Sequence, residues 1–236
     1  MNGNSSANEI QQAIGRLWRG SFHCLLSTHS VKFDGYPFGS VLPICRDSHG
    51  RPLLMISHLA QHTRNLDADP RCSLTLVDSN HADVQQWTRL TCLADAEPST
   101  SSSALERYYR YYPEGRHYHK ELNFRLYRLQ PRQFYLIAGF GSARWFDVSR
   151  VLEAPLFPTA KEMEILYQLN ARDHNLLGRF LVSRNHDLCD AKIHAVGADP
   201  QGLDLRQGES LIRCMFDTPL PEAGNFVEGL EASLNN

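Results

Sequence analysis

The sequence predicts a mainly β domain followed by a smaller α+β domain. Before residue 150, roughly six or seven apolar, strand-length runs follow one another between tight-turn signals, with no β–α–β rhythm. Strands joined this way pair antiparallel, and that number is enough to close a small barrel without exposed edges. The segment LEAPLFPTAKE, with Pro155 and Pro158, breaks the pattern. Beyond it helical stripes and short strands share the chain, which places the domains at residues 1–150 and 159–236.

Residues 1–8 are small and polar, after which Ile10, Ile14, Leu17 and Trp18 recur at helical spacing up to Gly20. FHCLLST is an apolar strand, Asp34-Gly35 marks a turn, and FGSVLPICRD is the next strand. DSHG, residues 47–50, turns it onto PLLMIS, so the first three strands read as an antiparallel meander. Ser57 and His58 end that strand. His62, Thr63, Arg64 and Asn65 then occupy one or two helical turns, closed by Asp69-Pro70 before CSLTLVD. After the polar SNHADVQQ, WTRLTCLADAEP reads as a strand. Ser99–Ser103 cap a helix with Leu105, Tyr108, Tyr109 and Tyr112 on one face, ended by Pro113. FRLYRLQPRQFYLI reads as a hairpin about Gln130-Pro131-Arg132, and GFGSARWF continues it with Gly139 and Gly141. In the second domain Met163, Leu166, Leu169 and Leu176, Leu177, Phe180, Leu181 form helical stripes. AKIHAVGAD, GLDLRQ and SLIRCMF are short strands, and a last helix spans Glu222–Leu234.

Composition narrows the function. With 24 basic and 26 acidic residues in 236, the formal charge of −2 supplies no polyanion-binding surface, so no nucleic-acid partner is expected. Six cysteines without a CxxC pair, several inside apolar strands, read as small buried hydrophobes of a reducing compartment. No secretory leader and no membrane-length apolar run is present, so the expectation is a soluble, cytoplasmic protein with no membrane partner.

A site is easiest to build within Gly50–Asp78. A strand-to-helix junction presents unpaired backbone N–H groups, and with His62, Thr63 and Arg64 beside them an anionic group such as phosphate or propionate is favoured. Ser57, His58 and Asn65 fit either ligand contact or turn and cap duty, and local chemistry leaves both readings open. Arg128 and Arg144 flank the last barrel strands and suit a carboxylate or phosphate, or an ordinary ion pair. Trp145 suits a flat cofactor or a buried dimer contact. Asp173-His174 suits a polarised metal-ligand pair or a helix cap. Basic residues Arg107, Arg110, Arg116 and Lys120 interleave with tyrosines, a pattern that favours an amphipathic helix with a solvated basic face. The sequence carries no Ser-His-Asp order, metal-ligand cluster or Gly-rich phosphate loop.

Taken together, GYPFGSVLPICRDSHGRPLLMISHLAQHTRNLDADPRCSL, FRLYRLQP and GFGSARWF resemble the flavin-binding split-barrel superfamily that contains the pyridoxamine 5'-phosphate oxidases. Within it they are similar to the HugZ/HutZ-type haem-utilisation branch. Its pattern S-x-L-A-x-H-T-x-N-L, acidic-Pro-Arg, S-L is carried by Ser57, Leu59, Ala60, His62, Thr63, Asn65, Leu66, Pro70, Arg71, Ser73 and Leu74. LNARDHNLL, VGADPQGLDLRQ and IRCMF resemble the small α+β domain that follows this barrel. The resemblance implies a six-stranded antiparallel split β-barrel. It also implies a homodimer with two equivalent clefts, and a planar cofactor, haem or FMN, in each.

The resemblance also sets the ligand question. Flavin-using relatives hold the phosphate with a Ser-Arg-Lys run; those places are Ala60, Gln61 and His62 here, and a strand lysine becomes Pro43. Losing fixed cations weakens FMN, because a phosphate dianion needs charge-assisted hydrogen bonds. In haem-degrading relatives an acidic residue before the F-x-L-x-R-L-Q-P strand orients a C-terminal histidine ligand. Here that place is Asn123, and no histidine follows His194. His174, His117, His119 or His62 is then left to hold haem iron, with His174 as the expectation. Ser57, His58, His62, Thr63, Arg64, Asn65, Asn123, Arg128, Arg144 and Trp145 are the expected cofactor contacts. Three functions stay open: a haem-binding and haem-degrading protein, an FMN-dependent oxidoreductase, and a non-enzymatic cofactor-binding or trafficking module.

Overall fold

The computed structural model describes residues 3–78, 82–138, 143–152, 157–172, 175–220 and 226–234. The expectations for Asp173, His174, Gly139 and Gly141 lie outside them. The chain folds as two compact units, Met1–Ala154 and Pro155–Asn236.

The first unit opens with helix α1, Gly3–Gly20, whose Ile14, Leu17 and Trp18 are buried in the core. Trp18 packs edge-on against Phe134, 4.9 Å between centroids, and its Nε1 donates to the Gly50 carbonyl at 3.2 Å. Strands β1 (His23–His29), β2 (Pro37–Pro43), β3 (Cys45–Arg46) and β4 (Pro52–Ser57) follow. Helix α2 (Gln61–Ala68) then leads to β5 (Arg71–Asp78) and β6 (Thr88–Pro98). Helices α3 (Ser102–Tyr111) and α4 (Gly115–Glu121) precede β7 (Phe124–Ile137), β8 (Ala143–Phe146) and the short α5 (Val148–Val151).

The antiparallel sheet has the order β2-β1-β5-β6-β7-β4-β3, with β8 on β7. Its two ends, β2 and β3, are separated in the chain by Ile44 alone. Two peptide steps span at most about 7.6 Å, so the sheet must curl until its ends meet. Ile44 is fully buried at that seam, and its N–H donates to the Phe22 carbonyl at 2.9 Å. Inward residues alternate as the strand period requires: Cys24, Leu26 and Thr28 on β1, Cys72, Leu74 and Leu76 on β5, Leu90, Cys92, Ala94 and Ala96 on β6. All six cysteines are free thiols, and all but Cys189 are buried. Burial pushes the Cys24 and Cys72 thiols up to about 12, so they stay protonated and pack as small hydrophobes.

Two sequence expectations are corrected. Gln130-Pro131-Arg132 makes no hairpin turn: β7 runs unbroken for 14 residues, and the ladder to β6 shifts register between Leu93 and Ala94. Proline lacks the donor a regular ladder needs, and a bulge accommodates it without a reversal. The meander holds at its third strand only through Cys45–Arg46, which the 47–50 turn pairs with Pro52 and Leu53; the rest of β4 pairs with β7 and has no ladder with β2. Pro52–Ile56 are buried without alternation. Gly115 and Tyr108 of the helical segment stand against Met55 on one side, while Leu54 and Ile56 enter the barrel core on the other. The tyrosines between the basic residues of α3 also point inward: Tyr108 and Tyr111 are buried, and Tyr112 Oη donates to the carbonyls of Phe22 and Ile44 at 2.5 and 2.9 Å.

In the second unit, α6 (Thr159–Ala171) and α7 (Asn175–Ser183) precede a three-stranded antiparallel sheet, β9 (Ile193–Asp199), β10 (Gly202–Gln207) and β11 (Ser210–Met215), and α8 (Phe226–Ser233) follows. Leu166, Leu169, Phe180, Leu203, Leu205 and Phe226 are among its core residues. Gly202 is obligatory, since a Cβ there would stand 2.2 Å from the Cys214 carbonyl oxygen. Buried Arg213 donates to Asp199 at 2.6 Å and to Asp204 at 3.1 Å; burial alone would lower its pKa, and the two carboxylates outweigh that and keep it charged. Among the described residues no helix is long and apolar enough to cross a membrane.

Candidate functional site

Strand β4 ends at Ser57, residues 58–60 turn, and α2 begins after an extended Ala60 that provides no side-chain cap. The inner face of α2 is saturated. Thr63 and Asn65 are 0% exposed. Thr63 Oγ1 donates to the Ser57 carbonyl at 2.6 Å. Asn65 Nδ2 donates to Thr28 Oγ1 at 2.9 Å, and its Oδ1 accepts from the Val31 amide at 3.1 Å and from Gln61 Nε2 at 2.9 Å. Both side chains are therefore spent in joining α2 to the barrel and present no surface to a ligand. Asp67, on the flank toward β7, accepts from Tyr127 Oη at 2.6 Å and Arg125 at 2.8 Å. Burial pushes its carboxyl up, and those two donors outweigh it and hold it below its ordinary value.

His62 fills the gap between α2 and β2. Its Nδ1 lies 3.1 Å from Ser40 Oγ, while Nε2 is enclosed with no hydrogen-bond partner among the described residues. Burial lowers its pKa, so the ring is neutral near pH 7.

The outer turn differs. Ser57 Oγ accepts from the Leu59 amide at 3.2 Å. His58 is exposed, with Nδ1 3.2 Å from the carbonyl oxygen of Asn123. Asn123 holds a left-handed backbone, φ 53°, which asparagine tolerates better than most residues. Ser57 pairs with Phe124 across the β4–β7 ladder, so the residues just beyond them, His58 and Asn123, meet at its open end. Around them Leu59 is 66%, Leu122 48% and Tyr118 40% exposed, and the Tyr118 ring lies 5.2 Å from that of Phe124. Arg64 points outward from α2 and makes no side-chain hydrogen bond or ion pair with the described residues.

The remaining expected residues stand elsewhere. Arg128 pairs with Asp47 at 3.0 Å; Asp47 also receives Arg51 and two backbone amides, so this guanidinium serves the 47–50 turn. Arg144 and Trp145 are exposed on β8, with Trp145 4.8 Å from Tyr135 between ring centroids. Trp145 pairs with Tyr135 toward the far end of β7, whereas His58 meets Asn123 just before its start. A groove of about 420 Å³ opens among Ser27, Thr28, Pro37, Ser73, Leu93 and Arg132. The guanidiniums at its rim are committed, Arg71 to Asp69 and Arg132 to Asp95.

The chemistry at the α2 turn separates the two expected cofactors. Gln61 and His62 occupy the first turn as neutral groups already bonded to Asn65 and Ser40, so no fixed cation pair faces a phosphate. Among the described residues no group of three or more His, Cys, Asp or Glu side chains can hold a bare metal ion. A single outward imidazole within exposed apolar surface instead fits a metal that brings its own planar ligand. Sequence reasoning named His58 and Asn123 separately; their contact depends on strand register, which no local signal encodes.

A sheet curled until its edges meet, with a short helix at the open end of β4, defines a split-barrel protein. The chain belongs to the CREG β-barrel family, whose model matches residues 17–152. It is similar to the chloroplastic heme oxygenase HOZ of Arabidopsis thaliana, 38% identical over 85 residues, covering 36% of this chain and 26% of that protein. It is also similar to the heme oxygenase HutZ of Vibrio cholerae, 28% identical over 126 residues, covering 50% of this chain and 71% of that protein. The matched part is thus about a quarter of the plant relative's length. Among solved structures, a protein of unknown function from Agrobacterium tumefaciens shares the fold over 98% of both chains, with a TM-score of 0.78 and 22% identity.

Proposed function

We propose that the chain binds haem, or a closely related planar tetrapyrrole, at a cleft between two copies, and that it degrades haem oxidatively. One observation carries this choice over FMN: the first turn of α2 offers neutral, already bonded side chains where a phosphate dianion needs cations. The relatives named as heme oxygenases support the same reading. His58, Leu59, Tyr118 and Leu122 would hold an apolar macrocycle with an imidazole at its face, and exposed Arg64 would meet a propionate. Bound haem supplies both the iron that activates dioxygen and the ring that is oxidised, with electrons from an external one-electron donor. The chain's own part is to orient that group and exclude water from it.

The second copy is argued from the outer sheet face. Val41, Leu25, Thr75, Thr91, Tyr135 and Trp145 form one cross-strand row over six strands, without a charge. Val41 is 73% and Trp145 56% exposed there, a surface suited to a twofold contact. The buried free thiols suit a reducing compartment such as the cytoplasm.

Parallel titrations with hemin and FMN test the proposal. A Soret band that develops with hemin and decays on adding ascorbate under air is expected, with sedimentation at twice the 26.8 kDa chain mass. Quenching of FMN fluorescence without a Soret band would replace haem by flavin. A stable Soret band under ascorbate would leave a binding or trafficking module.

A further inference from the structure

The carbonyl of Asn123 can only accept a hydrogen bond, so the 3.2 Å contact fixes the proton of His58 on Nδ1 and leaves the lone pair of the neutral ring on Nε2. A metal-bound histidine has this arrangement: one ring nitrogen on the metal, the other N–H anchored to a backbone carbonyl or carboxylate. We propose that His58 is the axial ligand to haem iron in this protein, with the Asn123 main chain as its positioning group; this rests on the haem reading above.

Three further observations support the assignment. The contact is built by the fold, because the Ser57–Phe124 pair ends the β4–β7 ladder one residue before His58 and Asn123 face each other. The left-handed φ of Asn123 turns the chain there, just after α4 ends at Glu121. The surroundings suit a porphyrin face: Leu59, Leu122 and Tyr118 leave apolar surface open beside the imidazole, and Phe124 supports Tyr118 from below. The other described histidines proposed from sequence are engaged differently. His117 pairs with Glu121 at 3.2 Å, His119 Nδ1 lies 2.5 Å from Tyr109 Oη, and the free nitrogen of His62 is enclosed.

The test uses the full chain, ferric hemin as the probe, and absorbance and electron paramagnetic resonance as readouts. Wild type is expected to give an imidazole-ligated spectrum. His58→Ala should bind hemin at least about tenfold more weakly, equivalent to about 1.4 kcal/mol, with a displaced Soret maximum and altered spin state that added imidazole restores. Asn123→Gly keeps the left-handed backbone and its carbonyl, and should keep the wild-type spectrum. His58 is exposed, so an unchanged circular dichroism melt should show that its variant folds. An unaltered Soret position and spin state in His58→Ala would overturn the axial assignment while leaving haem binding intact. Failure of wild type to bind hemin would overturn the haem reading itself.

Discussion

The two sides of the α2 segment are opposites. On the inner side the side-chain polar atoms of Thr63 and Asn65 are buried and committed, and on the flank Asp67 is held by two donors from β7. On the outer side His58 and Arg64 are exposed, and beyond one backbone contact their polar atoms are unspent. The difference shows that the buried polar groups of this stretch secure a helix across a curled sheet, while His58 and Arg64 keep polar atoms open to solvent.

The comparison breaks first at Asn65. Truncation to Ala takes a donor from buried Thr28 and an acceptor from the Val31 amide and Gln61, and a buried group left unpaired costs about 1–3 kcal/mol. Asn65→Ala should therefore lower the urea-unfolding free energy by roughly 2–3 kcal/mol. The hemin affinity of the folded protein should stay at the wild-type value. A mild loss of stability with a large loss of affinity would move Asn65 to the ligand side.

His62 gives a smaller, pH-dependent effect. Burial lowers its folded pKa, so as pH falls below its ordinary value of about 6.5 the unfolded chain takes up the proton first. Stability present above that pH should decline through it, and His62→Gln should flatten that part of a melting-temperature profile. An identical profile in the variant would mean that the imidazole titrates freely. Arg64→Ala should produce the smallest change: an unaltered melt, and a few-fold, salt-sensitive weakening of hemin binding if its guanidinium meets a propionate. Equal weakening at high and low salt would separate Arg64 from any charged partner.

The chain announced its elements wherever the signal was local. The stripe Ile10, Ile14, Leu17, Trp18, the Ser-capped α3 and the strand alternation of CSLTLVD each follow from neighbours a few residues apart. It was silent wherever the cause was distant. PLLMIS reads like any buried strand, and only the pairing of β4 with β7 places its end beside Asn123. Pro131 imitates a turn because a bulge opposite Leu93 and Ala94 has no signature in β7 itself. The bonds of Thr63 and Asn65 were silent for the same reason: their partners, Ser57, Thr28 and Val31, lie 6 to 37 positions away.

The division between the two sides is tested most directly by comparing the hemin dissociation constants of Thr63→Val and His58→Ala at a temperature where both are folded. Thr63→Val should bind within about twofold of wild type, and His58→Ala at least about tenfold more weakly, a gap of about 1 kcal/mol in binding free energy. Weak binding by folded Thr63→Val beside wild-type binding by His58→Ala would contradict the account.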